Sequence, residues 1–215
     1  GDIAFFGHGN FPDALVHYKR AVEAGHPLEF LLVMAARALK HNFPEEAGHF
    51  LNFALEAGEK KALLPRGRLY FCAGEFDRAQ DCLTQAAEYD PTSGEAHFLL
   101  GSVFWMAGNF AQSVVSFERA AELKFPNALA RLAMAYCFND QPDRAEVCVE
   151  LSIQAGDPDA RITRVQFWTE RNAPGDFARA EADLREMLSE APEKPVIYHS
   201  LGVICRETGR LTEAL

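Results

Sequence analysis

A small residue returns about every 33 residues along the chain, and this repeat limits the possible fold more than any other feature of the sequence. The column consists of Ala14, Ala47, Ala79, Ser113, Ala145, Ala180 and Ala214. A period of this size is typical of proteins built from one repeated supersecondary unit, in which each unit buries its apolar surface against the next. We therefore expect a repeat architecture.

A second column stands five residues before the first and indicates where the chain turns. Its members are Gly9, Asn42, Gly74, Gly108, Asp140, Gly175 and Gly209. Gly, Asn and Asp are the residues that best tolerate the left-handed backbone conformation in which many helices end. The sequence therefore predicts a reversal of the chain at each of these positions.

Two further columns indicate a helix after each turn. Large apolar residues stand four positions after the small residue, at Tyr18, Leu51, Leu83, Phe117, Val149 and Leu184. Mostly small residues stand seven positions after it, at Ala21, Ala54, Ala86, Ala120, Ser152 and Met187. Because positions 0, +4 and +7 share one face of an α-helix, we expect a second helix that can approach its neighbour closely.

A first helix is predicted before each turn, and proline separates most units. In that first helix a large residue, a small residue and an aromatic residue share a face, as Leu100, Gly101 and Phe104 do. The separating prolines are Pro27, Pro91, Pro126, Pro158 and Pro192. The pattern is a helix, a turn and a second helix, repeated about six times with a partial start and a partial end.

Two units depart from this pattern. Pro65 falls within the first helix of the third unit, so we predict that this helix is short and carries the proline in its first turn. In the sixth unit the spacing grows to 35 residues, and bulky Trp168 stands where a small residue is usual. We predict a shifted first helix there and an enlarged turn around residues 172–175.

Together these columns resemble the tetratricopeptide repeat, a helix–turn–helix unit of about 34 residues. The clearest copies are residues 101–126 and 67–91, and the resemblance covers essentially the whole chain. It implies an all-α fold, a right-handed α-solenoid of stacked antiparallel helix pairs. It also implies one repeat domain over residues 1–215, with units at approximately 1–27, 28–60, 61–93, 94–125, 126–158, 159–194 and a partial unit at 195–215.

The same resemblance implies that the first helix of each unit lines a concave groove in which partners bind. The residues expected in that groove are Glu95, Phe98, Leu99, Ser102, Trp105, Met106, Asn127, Ala130, Arg131, Met134, Phe138, His199, Val203 and Arg206. Methionine and aromatic side chains with one cation suit an amphipathic helix or an extended apolar peptide. The alternative is that Trp105, Met106 and Phe138 only fill space between adjacent first helices.

Three other candidate sites receive less support from the sequence. A carboxylate clamp, known in this family, needs Lys, Asn and Arg at inner positions where this chain has Phe98, Ser102, Ala130 and Met134. The basic cluster Lys60, Lys61, Arg66 and Arg68 could attract an acidic ligand or form a solvated face, and we favour the second. The set His41, Glu45 and His49 has the spacing of a metal site, but Asn42 and Pro44 should break the helix that it needs.

The charge balance and the cysteines narrow the class of partner. A formal net charge of −10 is unsuited to nucleic acid, and no apolar run approaches the roughly 18 residues of a membrane span. The five cysteines have no CxxC spacing, which indicates free thiols and favours the cytoplasm. A periplasmic location would follow if the chain belonged to an export machine.

The expected function is that of a non-catalytic scaffold that binds a peptide or helical segment of another protein, without a cofactor or metal. No nucleophile elbow, phosphate-binding loop, dinucleotide fingerprint or zinc-protease motif occurs in the sequence. The alternative is a regulatory or assembly segment of a larger enzyme or of a secretion or polysaccharide-export machine, an idea favoured by the missing Met and capping helix. Homo-oligomerisation is a further possibility.

Overall fold

A computed structural model describes the backbone of residues 11–157 and 159–210, with side chains from residue 16 onward, and the regular structure of this part is entirely helical. The predicted positions Gly9, Pro158 and Ala214 lie outside the described residues. The first helices of the repeats are α2 (Glu29–Lys40), α4 (Leu63–Cys72), α6 (Gly94–Met106), α8 (Ala128–Phe138), α10 (Ala160–Arg171) and α12 (Pro195–Glu207). The second helices are α1 (Phe11–Glu23), α3 (Pro44–Glu56), α5 (Phe76–Tyr89), α7 (Phe110–Glu122), α9 (Pro142–Gln154) and α11 (Asp176–Glu190). A single 3₁₀ turn, Lys60–Ala62, precedes α4.

The left-handed residues predicted at the ends of the first helices are confirmed wherever the chain is described. Asn42, Gly74, Gly108, Asp140, Gly175 and Gly209 all have positive φ, between 56° and 87°. At Gly74 the backbone N–H of the following Glu75 donates to the carbonyl of Tyr70 at 2.9 Å, so the turn itself satisfies the end of α4. The backbone requirement of these turns explains why the column holds only Gly, Asn and Asp.

A second set of left-handed residues ends four of the second helices, and the sequence analysis did not identify it. Gly25, Gly58, Lys124 and Gly156 have φ between 55° and 92°. The bonding is the same, since the N–H of Gly58 donates to Leu55 at 3.0 Å and that of Glu59 donates to Ala54 at 2.8 Å. These turns lead from one repeat to the next.

The residue contacts divide the chain into two compact units, Gly1–Ala107 and Gly108–Leu215. The boundary falls between the two helices predicted for residues 94–125. In the first unit, α2 and α3 bury Leu31, Phe50 and Leu51 in one cluster. In the second unit, one cluster joins α10, α11 and α12 and includes Leu184 and Ile197.

The small column allows neighbouring helices to approach closely. Ala47, Ala79, Ala145 and Ala180 are all fully buried. At Gly67 in α4, a Cβ atom would lie 2.7 Å from Cγ of Leu83 in α5, well inside van der Waals contact. The large residue at position +4 therefore fills the space left by a missing side chain on the partner helix.

The short first helix of the third unit and the enlarged turn of the sixth unit are both found as predicted. Helix α4 has ten residues, with Pro65 in its first turn. Between α10 and α11 the chain has two left-handed residues, Asn172 and Gly175, so this turn is longer than the others. Trp168, at the position where a small residue is usual, is half-buried and packs against the cluster of Val165 and Leu184.

Candidate protein-binding surfaces

In the first unit, the predicted groove residues lie along α6 and differ in accessibility. Met106 is 58% exposed, whereas Phe98, Leu99, Ser102 and Trp105 are half-buried. Leu99 packs against a buried cluster that includes Leu83 and Val103. The hydroxyl of Ser102 donates to the carbonyl of Phe98 at 2.9 Å, within the same helix. The accessible part of this face is therefore apolar and lies at the C-terminal end of α6.

In the second unit, α8 presents a similar face with a cation. Phe138 is 40% exposed, and its ring lies 5.3 Å from that of Phe110 at the start of α7. Met134 is half-buried, and Arg131 and Asn127 are exposed, whereas Ala130 is buried and offers no surface to a ligand. Within the described part of the chain, no carboxylate forms an ion pair with Arg131.

The predicted residues of α12 lie on a different helix of the second unit. His199 and Arg206 are exposed and Val203 is half-buried. The guanidinium of Arg206 donates to Glu207 at 2.9 and 3.0 Å. Helix α10 contacts both α8 and α12, and its exposed residues are Gln166 and Glu170. The apolar face of α8 is therefore followed by a polar first helix.

Three members of the basic cluster in the first unit have partners within that unit. Lys61 lies 3.8 Å from Glu29, and Arg68 lies 3.0 Å from Glu95. Arg66 stacks on the ring of Tyr70, 3.9 Å from its centroid, and donates to the hydroxyl at 2.7 Å. This pairing favours the interpretation of a solvated, charge-balanced face over an acidic-ligand site. It also accounts for Glu95, which the sequence had placed in the groove.

The residues with metal-site spacing lie on both sides of a turn. His41 follows the end of α2, whereas Glu45 and His49 belong to α3, and Asn42 between them has φ 64°. No group of three or more His, Cys, Asp or Glu side chains among the described residues is arranged to hold a metal ion.

A network of buried ion pairs joins α9, α10 and α11, and the sequence analysis did not predict it. Asp183 on α11 is 6% exposed and accepts hydrogen bonds from Arg161 and Arg164 of α10, with the closest distances 2.9 and 2.8 Å. Arg164 also lies 3.7 Å from Glu150 of α9. Its guanidinium is 5.2 Å from the centre of the Trp168 ring, so the indole adds a cation–π contact to the network.

A second polar cluster fixes α7, α8 and α9 to one another. The hydroxyl of Tyr136 on α8 donates to the carboxylate of Glu118 on α7, which also accepts from Arg144 of α9 at 2.8 Å. Burial, followed by the hydrogen bond to Glu118, raises the pKa of Tyr136. Burial likewise raises the pKa of the neighbouring Cys148 thiol to about 11. Both groups are therefore neutral at physiological pH.

An apolar surface on the second helices of the second unit was also missed by the sequence analysis. Val115 on α7 is 66% exposed, and Val147 and Leu151 on α9 are 59% and 46% exposed. The two valines each stand two residues after the small column, at Ser113 and Ala145. Because both valines have the same offset from the small column, the sequence could have predicted that they share a face of the second helices. We call these three residues the outer valine surface.

Among the described helices, none combines the length and the apolar character of a membrane span. No curated protein matches this sequence. A family model for the tetratricopeptide repeat matches residues 64–128.

Solved structures share the fold over most of the chain. A tetratricopeptide repeat protein from Parabacteroides merdae ATCC 43184 is 20% identical, with a TM-score of 0.71 over 98% of this chain and 85% of that one. YrrB, a repeat protein with an unusual peptide-binding site, is 17% identical, with a TM-score of 0.56 over 77% of this chain and 87% of that one. A chain of the APC/C hetero-tetramer Cut9–Hcn1 is 14% identical, with a TM-score of 0.66 over 90% of this chain and 39% of that one. These similarities establish an all-α helical-repeat fold.

Proposed function

Because this chain is a tetratricopeptide-repeat protein, we propose that it is a non-catalytic scaffold that binds a peptide or helical segment of another protein on its first helices. Stacked helix pairs form extended surfaces, and repeat proteins use such surfaces for binding. The peptide-binding site of YrrB and the assembly that contains Cut9 and Hcn1 support a protein as the class of partner.

The exposure of Met106 and Phe138 is the observation that carries this proposal. Each is a large apolar side chain near the C-terminal end of a first helix, and each is at least 40% exposed. Methionine adapts its shape to a partner, and aromatic residues provide most of the binding energy at many interfaces. Arg131, two turns before Phe138, adds a cation for an acidic group on the ligand.

The proposal is tested by affinity capture with exposed residues replaced one at a time. Tagged wild type, Met106→Glu and Phe138→Glu are compared with Tyr89→Glu, a control that places the same charge on a second helix, where Tyr89 is 49% exposed. We expect a set of proteins that is captured by wild type and the control and lost from at least one of the first-helix variants. Circular dichroism melts establish that all four proteins are folded.

The first-helix proposal fails if Met106→Glu and Phe138→Glu are folded and retain every protein captured by the control. Half-buried Trp105 and Phe98 are less suitable for this comparison, because a charge or a cavity there would also disturb packing.

We also propose a reducing compartment, the cytoplasm, for this chain. All five cysteines are free thiols, of which Cys148 and Cys205 are buried. Alkylation in intact cells should find the five thiols reduced, and an intramolecular disulfide would contradict the proposal.

A further inference from the structure

The outer valine surface lies on two helices that are held in a fixed relation. Val115 and Glu118 are one turn apart on α7, and Arg144 and Val147 are one turn apart on α9. The ion pair between Glu118 and Arg144, 2.8 Å long, therefore joins the two helices next to the valines. Tyr136 of α8 donates to the same carboxylate, so α8 is joined to both helices next to the valines.

On α9, Val147 and Leu151 are four residues apart and both exposed, so they share one face of the helix, and exposed Asp143 stands at the N-terminal end of that face. On α7, exposed Ala111 stands four residues before Val115. Exposed apolar side chains on two neighbouring second helices can receive the apolar side of an amphipathic helix.

The charges around this surface are predominantly acidic. Helices α7 and α9 together carry five carboxylates and two guanidiniums, namely Glu118, Glu122, Asp143, Glu146, Glu150, Arg119 and Arg144. Arginines pair with Glu118, Glu122, Glu146 and Glu150, but Arg164 and Arg171 each also bind an aspartate of α11. The two helices therefore keep an excess of negative charge, and Asp143 forms no ion pair within the described part of the chain.

We propose that the outer valine surface binds an amphipathic helix of another protein, one whose apolar stripe is flanked by Lys or Arg. The apolar stripe would cover Val115, Val147 and Leu151, and the basic flanks would face the carboxylates of α7 and α9. A second copy of this chain fits less well, because its formal charge of −10 would bring like charges together. An anionic membrane surface is disfavoured by the same repulsion. This site is separate from the first-helix faces and does not depend on them.

The test uses two fluorescent 18-residue helical peptides with the same leucine stripe, flanked by lysine in one and by glutamate in the other. Binding to the whole chain is followed by fluorescence anisotropy. We expect the lysine-flanked peptide to bind at least tenfold more tightly than the glutamate-flanked one, and to weaken as salt is added. In Val147→Lys we expect its affinity to fall at least tenfold.

The matched control is Val33→Lys on α2, where the replaced valine is 56% exposed, close to the 59% of Val147. This variant should bind the lysine-flanked peptide as wild type does. The proposal is overturned if neither peptide binds, if both bind equally, or if Val147→Lys and Val33→Lys behave alike. It is also overturned if light scattering shows a dimer that Val147→Lys abolishes, since the surface would then join two copies.

Discussion

The guanidinium of Arg171, at the end of α10, forms a two-point ion pair with the carboxylate of Asp176, at the start of α11. The nitrogen–oxygen distances are 2.8 and 2.7 Å, and Asp176 is 1% exposed. The same carboxylate accepts the backbone N–H of Ala173 at 3.0 Å, so it also stabilises the enlarged turn. One side chain thus closes the only described turn between a first and a second helix that has two left-handed residues.

Replacement of Asp176 by alanine should lower the free energy of unfolding by about 3 kcal/mol. The change leaves Arg171, which is 19% exposed, with only Glu146 as a charge partner, and breaking one side of a buried ion pair is costly. Urea unfolding followed by circular dichroism measures the effect. Glu193→Ala, at an exposed loop residue, is the control and should change stability by less than about 0.5 kcal/mol. Equal stability of the two variants would contradict the role of the buried pair.

The stability of the chain should decrease in acid because of two carboxylates in the second unit. The hydrogen bond from Arg171 lowers the pKa of Asp176, and that from Arg210 lowers the pKa of Glu181. A carboxyl whose pKa is lower in the folded state contributes its full stabilisation above the pKa of the unfolded chain, near 4. This contribution is lost as the pH falls from about 4 through the folded-state values. In Asp176→Asn, the decrease in melting temperature between pH 5 and pH 2 should be smaller than in wild type; an unchanged decrease would argue against this assignment.

Replacement of Tyr136 by phenylalanine should cost about 2 kcal/mol of stability. The variant keeps the ring that stacks under Arg144, 4.2 Å away, but removes the hydroxyl that donates to the charged carboxylate of Glu118. Tyr198→Phe, at a residue that is 53% exposed, provides a control for the loss of a hydroxyl and should change stability little. A thermal melt that gives the same midpoint for both variants would show that the hydroxyl does not stabilise the fold.

Enlarging a small residue that is buried between helices should destabilise the helix pairs. Gly67→Ala, Gly101→Leu and Ala120→Phe should each cost about 1 to 3 kcal/mol, because all three positions are buried against neighbouring helices. At Gly67 the new methyl group would meet Leu83, which is fully buried and has no free space to move into. Ala178→Leu, at an exposed position of α11, is the control. If the three core variants have the same melting temperature as the control, the register assigned to the helix pairs is wrong.

The turns were predictable because their requirement is local. A residue that must adopt positive φ is restricted to a few amino acids, whatever surrounds it. The six described positions in the column of Gly, Asn and Asp residues all have the predicted conformation. The turns at Gly25, Gly58 and Gly156 could also have been predicted from the sequence, since each glycine follows an alanine at the end of a unit. Lys124 adopts the same conformation without belonging to those amino acids, so its turn was not readable from residue type.

The ion-pair network and the accessibility of the candidate surface were not predictable for a different reason. Arg164 and Asp183 are 19 residues apart and meet only once α10 and α11 have packed. Leu99 and Met106 lie on the same predicted face, but Leu99 packs against a buried cluster whereas Met106 is exposed. Helical periodicity identifies a face of a helix, whereas the neighbouring helix decides how much of that face remains accessible.

The shared arginines of α10 have a consequence for modularity. Arg164 and Arg171 each hold one carboxylate of the preceding repeat and one of their own, through Glu150 with Asp183 and Glu146 with Asp176. Repeats that adhere through alanine and leucine alone can be shuffled or duplicated, because any neighbour offers the same apolar groove. This repeat cannot be moved next to another repeat so freely, since a neighbour without matching carboxylates would leave both guanidiniums without a partner on that side of the interface.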